Sequence, residues 1–372
     1  MDRKREIFDK VLALVRNELW GEPLASSVAK EDVRDILQVA KEQMVSGLVA
    51  NAIIRNQLPI GDDLTMEVLG IQKLHEKKGK EMNAEVALFA GFLNRRNLQY
   101  VIMKGQTMAA LYPNPLMRST GDIDFYCPKE SFEKTKREIE ERLQIEMGAW
   151  DDTKHLQYRW EGVEYEMHSS LTVFGSRKHQ RYWDSVINED SLAETISING
   201  EKISVLNSTI NAVFLFVHCF SHFTEEGVRL KQLCDWAIFL HCKKKDINKE
   251  LLNNILEGIG HIKAYTIFGS WVIANLGLSE DDFPISFYAK DRKWIDKLTN
   301  SFFSLSSNEN EGTREIGGKA NLALLLKRTK WVLRQTYNFY KLAPREVIGR
   351  CFEMAGRQVR LRLKIQNEII ED

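Results

Sequence analysis

No excess of charge of either sign marks this sequence: 52 Lys and Arg balance 52 Asp and Glu over 372 residues. A formal charge of zero removes the global attraction to nucleic acid or an anionic membrane, so any such partner needs a local patch. Cysteine is sparse. Cys127, Cys219, Cys234, Cys242 and Cys351 are odd in number and form no C-x-x-C pair, which fits free thiols in a reducing compartment better than a disulfide frame. No apolar run reaches the roughly 18 residues that spanning a bilayer requires. The first twenty residues alternate charged and apolar side chains like an amphipathic helix and lack the apolar core of a signal peptide. A soluble, cytoplasmic protein without a membrane partner is therefore expected. Internal repeats, low-complexity tracts and a Ser-His or Cys-His nucleophile motif are also absent. His218 and His222 lie four apart as in half a zinc site, but no glutamate stands where H-E-x-x-H demands one, so a structural role is expected for both.

Helical spacing of apolar residues dominates both ends of the chain. Residues 1–97 read as helices interrupted at Pro59-Ile60-Gly61, with no strand candidate, and helices resume from about residue 207. Between them the texture changes. "LQYVIM" reads as a buried strand, "QTMAALY" as a short helix, "PNPLMRSTG" as a loop and "DIDFYC" as a strand. The charged helix "KESFEKTKREIEERL" follows, then "HLQYRWEG" and "VEYEMHSSL" as a strand pair turned at Glu161-Gly162. The expected fold is α+β, with a small mixed-sheet core over residues 98–206 flanked by an N-terminal helical region (1–97) and a C-terminal helical domain (207–372).

Chemistry is expected in that core. In an extended chain, side chains at i and i+2 leave the same face, so Asp122 and Asp124 project side by side while Ile123 and Phe125 point the other way. Two carboxylates that close repel unless a cation lies between them, and Mg2+, with Mn2+ as substitute, suits oxygen donors shared with substrate phosphates. On the later strand, Glu164, Glu166 and His168 share one face. If the two strands pair, a third carboxylate joins the site, with Glu164 competing with Glu166 for that place. "MKGQT" ends a strand and begins a helix. The Gly105 backbone and the first N–H groups of the Gln106-Thr107 helix can therefore approach a phosphate, while Lys104 and Arg118 either neutralise a triphosphate or pair with the aspartates. Arg229, Lys231 and Asp235 of the C-terminal region can reach a nucleotide or serve only as solvated charges on a capped helix.

The order strand, glycine turn, helix, "GDIDF" strand, helix and acid-bearing strand resembles the DNA polymerase β-like nucleotidyltransferase superfamily. More closely, "MKGQTMAALYPNPLMRSTGDIDFYC" with "YEMHSSL" is similar to a bacterial family of uncharacterised nucleotidyltransferases. The resemblance implies a nucleoside triphosphate substrate, Asp122 and Asp124 as metal ligands, Glu166 as third acid, and His168 as the histidine of a Glu-x-His strand. In the wider superfamily the glycine turn is normally followed by serine, whereas here Gly105 precedes Gln106 and Thr107. The expected activity is transfer of a nucleoside monophosphate to an acceptor hydroxyl on a small molecule, a protein or an RNA. The alternative is a nucleotidyltransferase-fold module that binds a nucleotide or partner without turnover. The stretch from Asn321 to Ile365, with eleven Lys or Arg against two Glu and interleaved aromatic residues, admits nucleic acid as a partner.

Overall fold

The computed structural model describes residues 3–24, 28–145, 147, 155–187, 192–225, 227–286, 292–303, 330 and 333–352. Four helices fill the N-terminal region: α1 (Arg3–Trp20), α2 (Val33–Glu42), α3 (Ser46–Arg55) and α4 (Asp62–Arg95). The break at Pro59-Ile60-Gly61 holds, and α4 opens after Gly61 with Asp62 and Asp63 in its first turn, where the helix dipole favours negative charge. At 1.5 Å per residue α4 runs about 51 Å. Its C-terminal half packs beneath the sheet.

That sheet has four strands: β1 (Val101–Met103), β2 (Ile123–Tyr126), β3 (His155–Trp160) and β4 (Val163–His168), in the order β1-β2-β4-β3. β1 runs antiparallel to β2, β2 parallel to β4, and β4 antiparallel to β3. Helix α5 (Gly105–Ala109) follows β1, and α6 (Lys129–Leu143) supplies the crossover from β2. Strict alternation sorts the side chains. Ile102, Ile123, Phe125, Tyr165 and Met167 face a core with Phe89 and Leu93 of α4 and Phe132 and Ile139 of α6. The opposite face, through Val101, Met103 and Tyr126, meets the larger helical core. At about 25 cal/mol per Å², burying aromatic rings such as Phe125 and Tyr165 stabilises this layer by roughly 2 kcal/mol each.

After β4 come α7 (Arg177–Ile187) and a two-stranded hairpin, β5 (Ala193–Ile198) and β6 (Glu201–Leu206), neither of which was expected. The hairpin turns at Asn199-Gly200, with φ of 50° and 82°, the positive pair that a tight hairpin turn uses. Helices α8 (Ser208–Glu225), α9 (Leu230–Lys243), α10 (Lys249–Gly258), α11 (Ile262–Leu276) and α12 (Arg292–Phe303) follow, with further helical residues at 333–339 and 344–352. α8 is apolar on nearly every side because it runs through the middle of the larger core. That core is continuous from α1 to Val347, so the two helical ends pack on each other as well as on the sheet. Arg16 and Trp20 of α1, for example, donate to the carbonyls of Asn275 and Leu276 at 2.8 and 2.5 Å. No described helix is long and apolar enough to cross a membrane.

Candidate active site

The parallel pairing of β2 and β4 sets Asp124 opposite Glu166 and Tyr126 opposite His168. Paired residues share a face, so Asp124, Glu166 and His168 emerge together on the face that meets the helices. Among the described residues they form the one cluster of three metal-ligand types, with ligand atoms within 4.8 Å of one another. Glu164, two residues earlier, is exposed and lies opposite Arg159 of the edge strand, so register selects Glu166 as the acid beside Asp124. Asp122 lies outside the 4.8 Å group. It immediately precedes β2, partly buried, and burial together with the charge of Asp124 raises its carboxyl above the ordinary range.

Asp124 is only 3% exposed, and two cations compensate it. Lys104 Nζ lies 3.0 Å from Oδ2, and His168 Nε2 lies 3.1 Å from Oδ1 and 3.5 Å from Glu166 Oε2. Burial opposes ionisation of Asp124, but Lys104 and His168 outweigh it and hold the carboxyl far below its usual range. Burial likewise opposes the charge of His168, yet the two carboxylates raise its pKa, so the ring sits between them as a shared proton donor.

Lys104 occupies an unusual backbone position, φ 55° and ψ −146°, directly before Gly105 at φ 54°. Two successive positive φ values turn the chain sharply out of β1, and only the second falls on glycine, so the turn at Lys104 carries a strain of about 1–3 kcal/mol. Two side chains of the expected phosphate cradle bond within the protein. Gln106 is buried and donates to Asn83 Oδ1 of α4 at 2.5 Å, and Thr107 turns its hydroxyl back to the Lys104 carbonyl at 2.6 Å. The Thr107 amide is bonded to the same carbonyl. These bonds fasten the turn. Lys104 also approaches His218 Nε2 of α8 at 3.4 Å.

Arg118, expected either to neutralise a triphosphate or to pair with Asp122 or Asp124, is paired instead with Asp235. It is 4% exposed, and its Nε and Nη2 donate to Asp235 Oδ1 and Oδ2 of α9, both at 2.7 Å. Nη1 donates to the Ser119 carbonyl at 3.2 Å, and the Tyr112 hydroxyl donates to the same Asp235 at 2.7 Å. A planar fork engaged on all three nitrogens anchors the loop before Asp122 to α9. The N-terminal region closes the same junction. Ser119 Oγ donates to the Met44 carbonyl at 2.7 Å, and Gln43 accepts from the backbone amides of Leu230 and Lys231 through its side chain and carbonyl.

This junction brings in Lys231, which spacing alone had left ambiguous. A β-carbon on Gly121 would lie 3.6 Å from its Nζ, so the ammonium rests against the residue preceding Asp122. Burial and the nearby Arg118 guanidinium pull its pKa down to about 8. Among the described residues no carboxylate lies within ion-pair distance of it. An under-compensated cation beside a carboxylate cluster suits an anionic ligand.

The profile of a family described as uncharacterised nucleotidyltransferases matches residues 29–267, more than half of the chain. The chain belongs to this family. The match spans the sheet and also the helices that carry His218, Lys231 and Asp235, so both halves of the site lie within the nucleotidyltransferase region. No curated protein matches the sequence. A solved structure, that of an antigenic nucleotidyltransferase-like protein from Paracoccidioides brasiliensis, is similar at 16% identity over 54% of this chain and 94% of that one, with a TM-score of 0.33.

The oxygen donors fit a hard divalent cation: the Asp124 and Glu166 carboxylates converge, with His168 hydrogen-bonded between them, and a further acid, Asp122, is destabilised by its neighbours. Among the described residues, His218 and His222 fall outside this cluster. Their rings meet edge to face at 4.4 Å. Most of the basic stretch from Asn321 to Ile365 lies outside the described residues. Within it, Arg350 is buried and paired with Glu346 and Glu225, and Phe339 is a core residue, so neither belongs to a nucleic-acid surface.

Proposed function

We propose that the chain transfers a nucleoside monophosphate from a nucleoside triphosphate to an acceptor hydroxyl and releases pyrophosphate. The observation that carries this reading is the β2/β4 register, which sets Asp124, Glu166 and His168 on one sheet face with ligand atoms within 4.8 Å. Asp124 and Glu166, with Asp122 adjoining, would hold Mg2+ or Mn2+; a divalent cation there supplies neutralisation of the triphosphate and alignment of the reacting oxygens. The chain's own part is positioning and electrostatics. Lys104, beside Asp124, and Lys231, beside Gly121, supply positive charge near the acids, and His168 fixes the Asp124 and Glu166 carboxylates relative to each other. As the acceptor oxygen bonds to the α-phosphorus and the bond to the bridging oxygen breaks, the partly buried Glu166 carboxylate takes the hydroxyl proton. Arg118, Gln106 and Thr107 act through the backbone they hold.

The test is incubation with α-labelled nucleoside triphosphates, Mg2+ or Mn2+, and pools of metabolites, RNA and protein. Labelled acceptor and pyrophosphate are expected, and both should vanish in Asp122→Asn/Asp124→Asn protein that melts cooperatively. Absence of product together with absence of nucleotide and metal binding refutes the reading. A second reading draws on the internally bonded Gln106, Thr107 and Arg118 side chains, which leave a thin phosphate cradle: a module that binds nucleotide without turnover. Nucleotide binding with no pyrophosphate under any acceptor condition selects it.

A further inference from the structure

We propose that His218 is a positioning residue for this site: its Nε2 accepts from the Lys104 ammonium and fixes that ammonium beside Asp124. The two residues are 114 positions apart, and their nitrogens lie 3.4 Å apart. Lysine has only protons to offer, so the imidazole nitrogen facing it must be the unprotonated one and the ring proton sits on Nδ1. Burial, then the charge of Lys104, then His222 hold His218 well below its ordinary pKa, which keeps that lone pair available.

The ring itself is fixed. Phe214, one helical turn earlier, stacks on it at 6.0 Å and 22°, and His222, one turn later, meets it edge-on at 4.4 Å. Lys104, by contrast, is a four-carbon side chain on a strained backbone, and such a group stays in one place only when its surroundings over-determine it. Asp124 at 3.0 Å supplies one restraint and His218 the other. An ammonium has three protons, so with two engaged the third is left for an anionic oxygen. This last use rests on the nucleotide reading above; the positioning itself does not.

The experiment compares the full-length wild type with His218→Leu, which fills the space without an acceptor, and His218→Gln, whose carboxamide oxygen can accept. All three are first checked for cooperative thermal melting. Lysine acetylation by limiting acetic anhydride, read by mass spectrometry with the other lysines as internal reference, reports how firmly the Lys104 ammonium is held without any nucleotide. Losing one hydrogen bond should raise relative Lys104 labelling about fivefold in His218→Leu, with His218→Gln near wild type. Equal labelling of Lys104 in wild type and His218→Leu overturns the proposal. Should His218→Leu fail to melt cooperatively, His218→Gln is compared with His218→Met, and the same two outcomes decide. A parallel titration with Mg·ATP adds Lys104→Ala and its double variant with His218→Leu. If ATP binds, the double variant should bind no more weakly than Lys104→Ala alone, and strict additivity of the two losses also overturns the proposal. If wild type binds no ATP, the nucleotide reading fails while the labelling still decides the role of His218.

Discussion

Replacing Asp235 with Asn keeps the shape of the junction behind Asp122 but strips the charge that compensates Arg118. The guanidinium is 4% exposed and donates two charge-assisted bonds of 2.7 Å to that carboxylate; its one other described contact is the Ser119 carbonyl, to which it donates at 3.2 Å. Breaking a buried pair by removing one partner leaves an uncompensated charge in a poorly solvated place, which costs about 3–5 kcal/mol. Arg118→Met should destabilise by a similar amount, since Asp235 then keeps only the Tyr112 hydroxyl. The double variant Arg118→Met/Asp235→Leu should recover much of the loss, because two matched apolar groups need no compensation. Urea unfolding followed by tryptophan fluorescence measures all three as shifts in midpoint at constant slope. Triphosphate affinity measured beside it should fall no further than the stability loss explains. Single variants that cost less than about 1 kcal/mol while nucleotide affinity drops tenfold or more would show that Arg118 faces the phosphates and that the buried fork is not its working position.

Lys231→Met should weaken triphosphate binding by about 1.5–3 kcal/mol, the range for a charge-assisted contact, without lowering the urea midpoint, because the ammonium has no described carboxylate partner to lose. Mn2+ or Mg2+ at a hundred times its dissociation constant should raise wild-type stability by about 2.7 kcal/mol, and leave Asp122→Asn/Asp124→Asn unchanged in a calorimetric scan. Glu346 predicts acid sensitivity at the other end of the chain. Burial opposes its charge, but His179 and Arg350 outweigh this and depress its carboxyl from 4.5 to about 2. A depressed carboxyl contributes stability that is fully present above pH 4.5 and is lost as pH falls towards 2; a shift of this size is worth roughly 3 kcal/mol. Glu346→Gln should flatten the stability profile across that window, and an unchanged slope there would remove Glu346 as its origin.

The shared face of Asp124, Glu166 and His168 was legible because a strand has a period of two. Asp122-Ile123-Asp124 and Glu164-Tyr165-Glu166-Met167-His168 each announce which residues share a face; burial alternates along β4 as that reading requires, whereas all four residues of β2 are buried because both of its faces are covered. Helix α6 was legible to the residue, since a proline precedes Lys129 and a charged amphipathic run ends at Leu143. The choice between Glu164 and Glu166 was not. It depends on how far β4 slides along β2, a quantity set by the crossover and by packing against α4 rather than by either strand alone. Strand β1 came out shorter than its apolar run for a similar reason: Leu98 and Tyr100 are buried, but only Val101–Met103 find a partner in β2. The β5–β6 hairpin left a clear local mark in Asn199-Gly200 between alternating segments.

The cations of the site obey a different logic, and this is why the partner of Arg118 was not legible while Lys231 and His218 stayed in the background. An acid pair in one strand is a local statement, but which cation meets it depends on contacts across more than a hundred positions: Lys104 to His218, Arg118 to Asp235. Arg118 lies four residues before Asp122, close enough in sequence to suggest a shared ligand, yet the loop between them bends so that its fork turns to α9. The same bend sets Lys231 against Gly121. Fixing one arginine to an aspartate therefore does two things at once, removing a cation from the acids and delivering another from the helix that holds the aspartate. The positive side of the site is thus a property of the three-way junction among Gln43-Met44, the loop at Arg118-Ser119 and the start of α9. Weakening any one of its arms should disturb Lys231 before it disturbs Asp124, whose place is held by strand pairing.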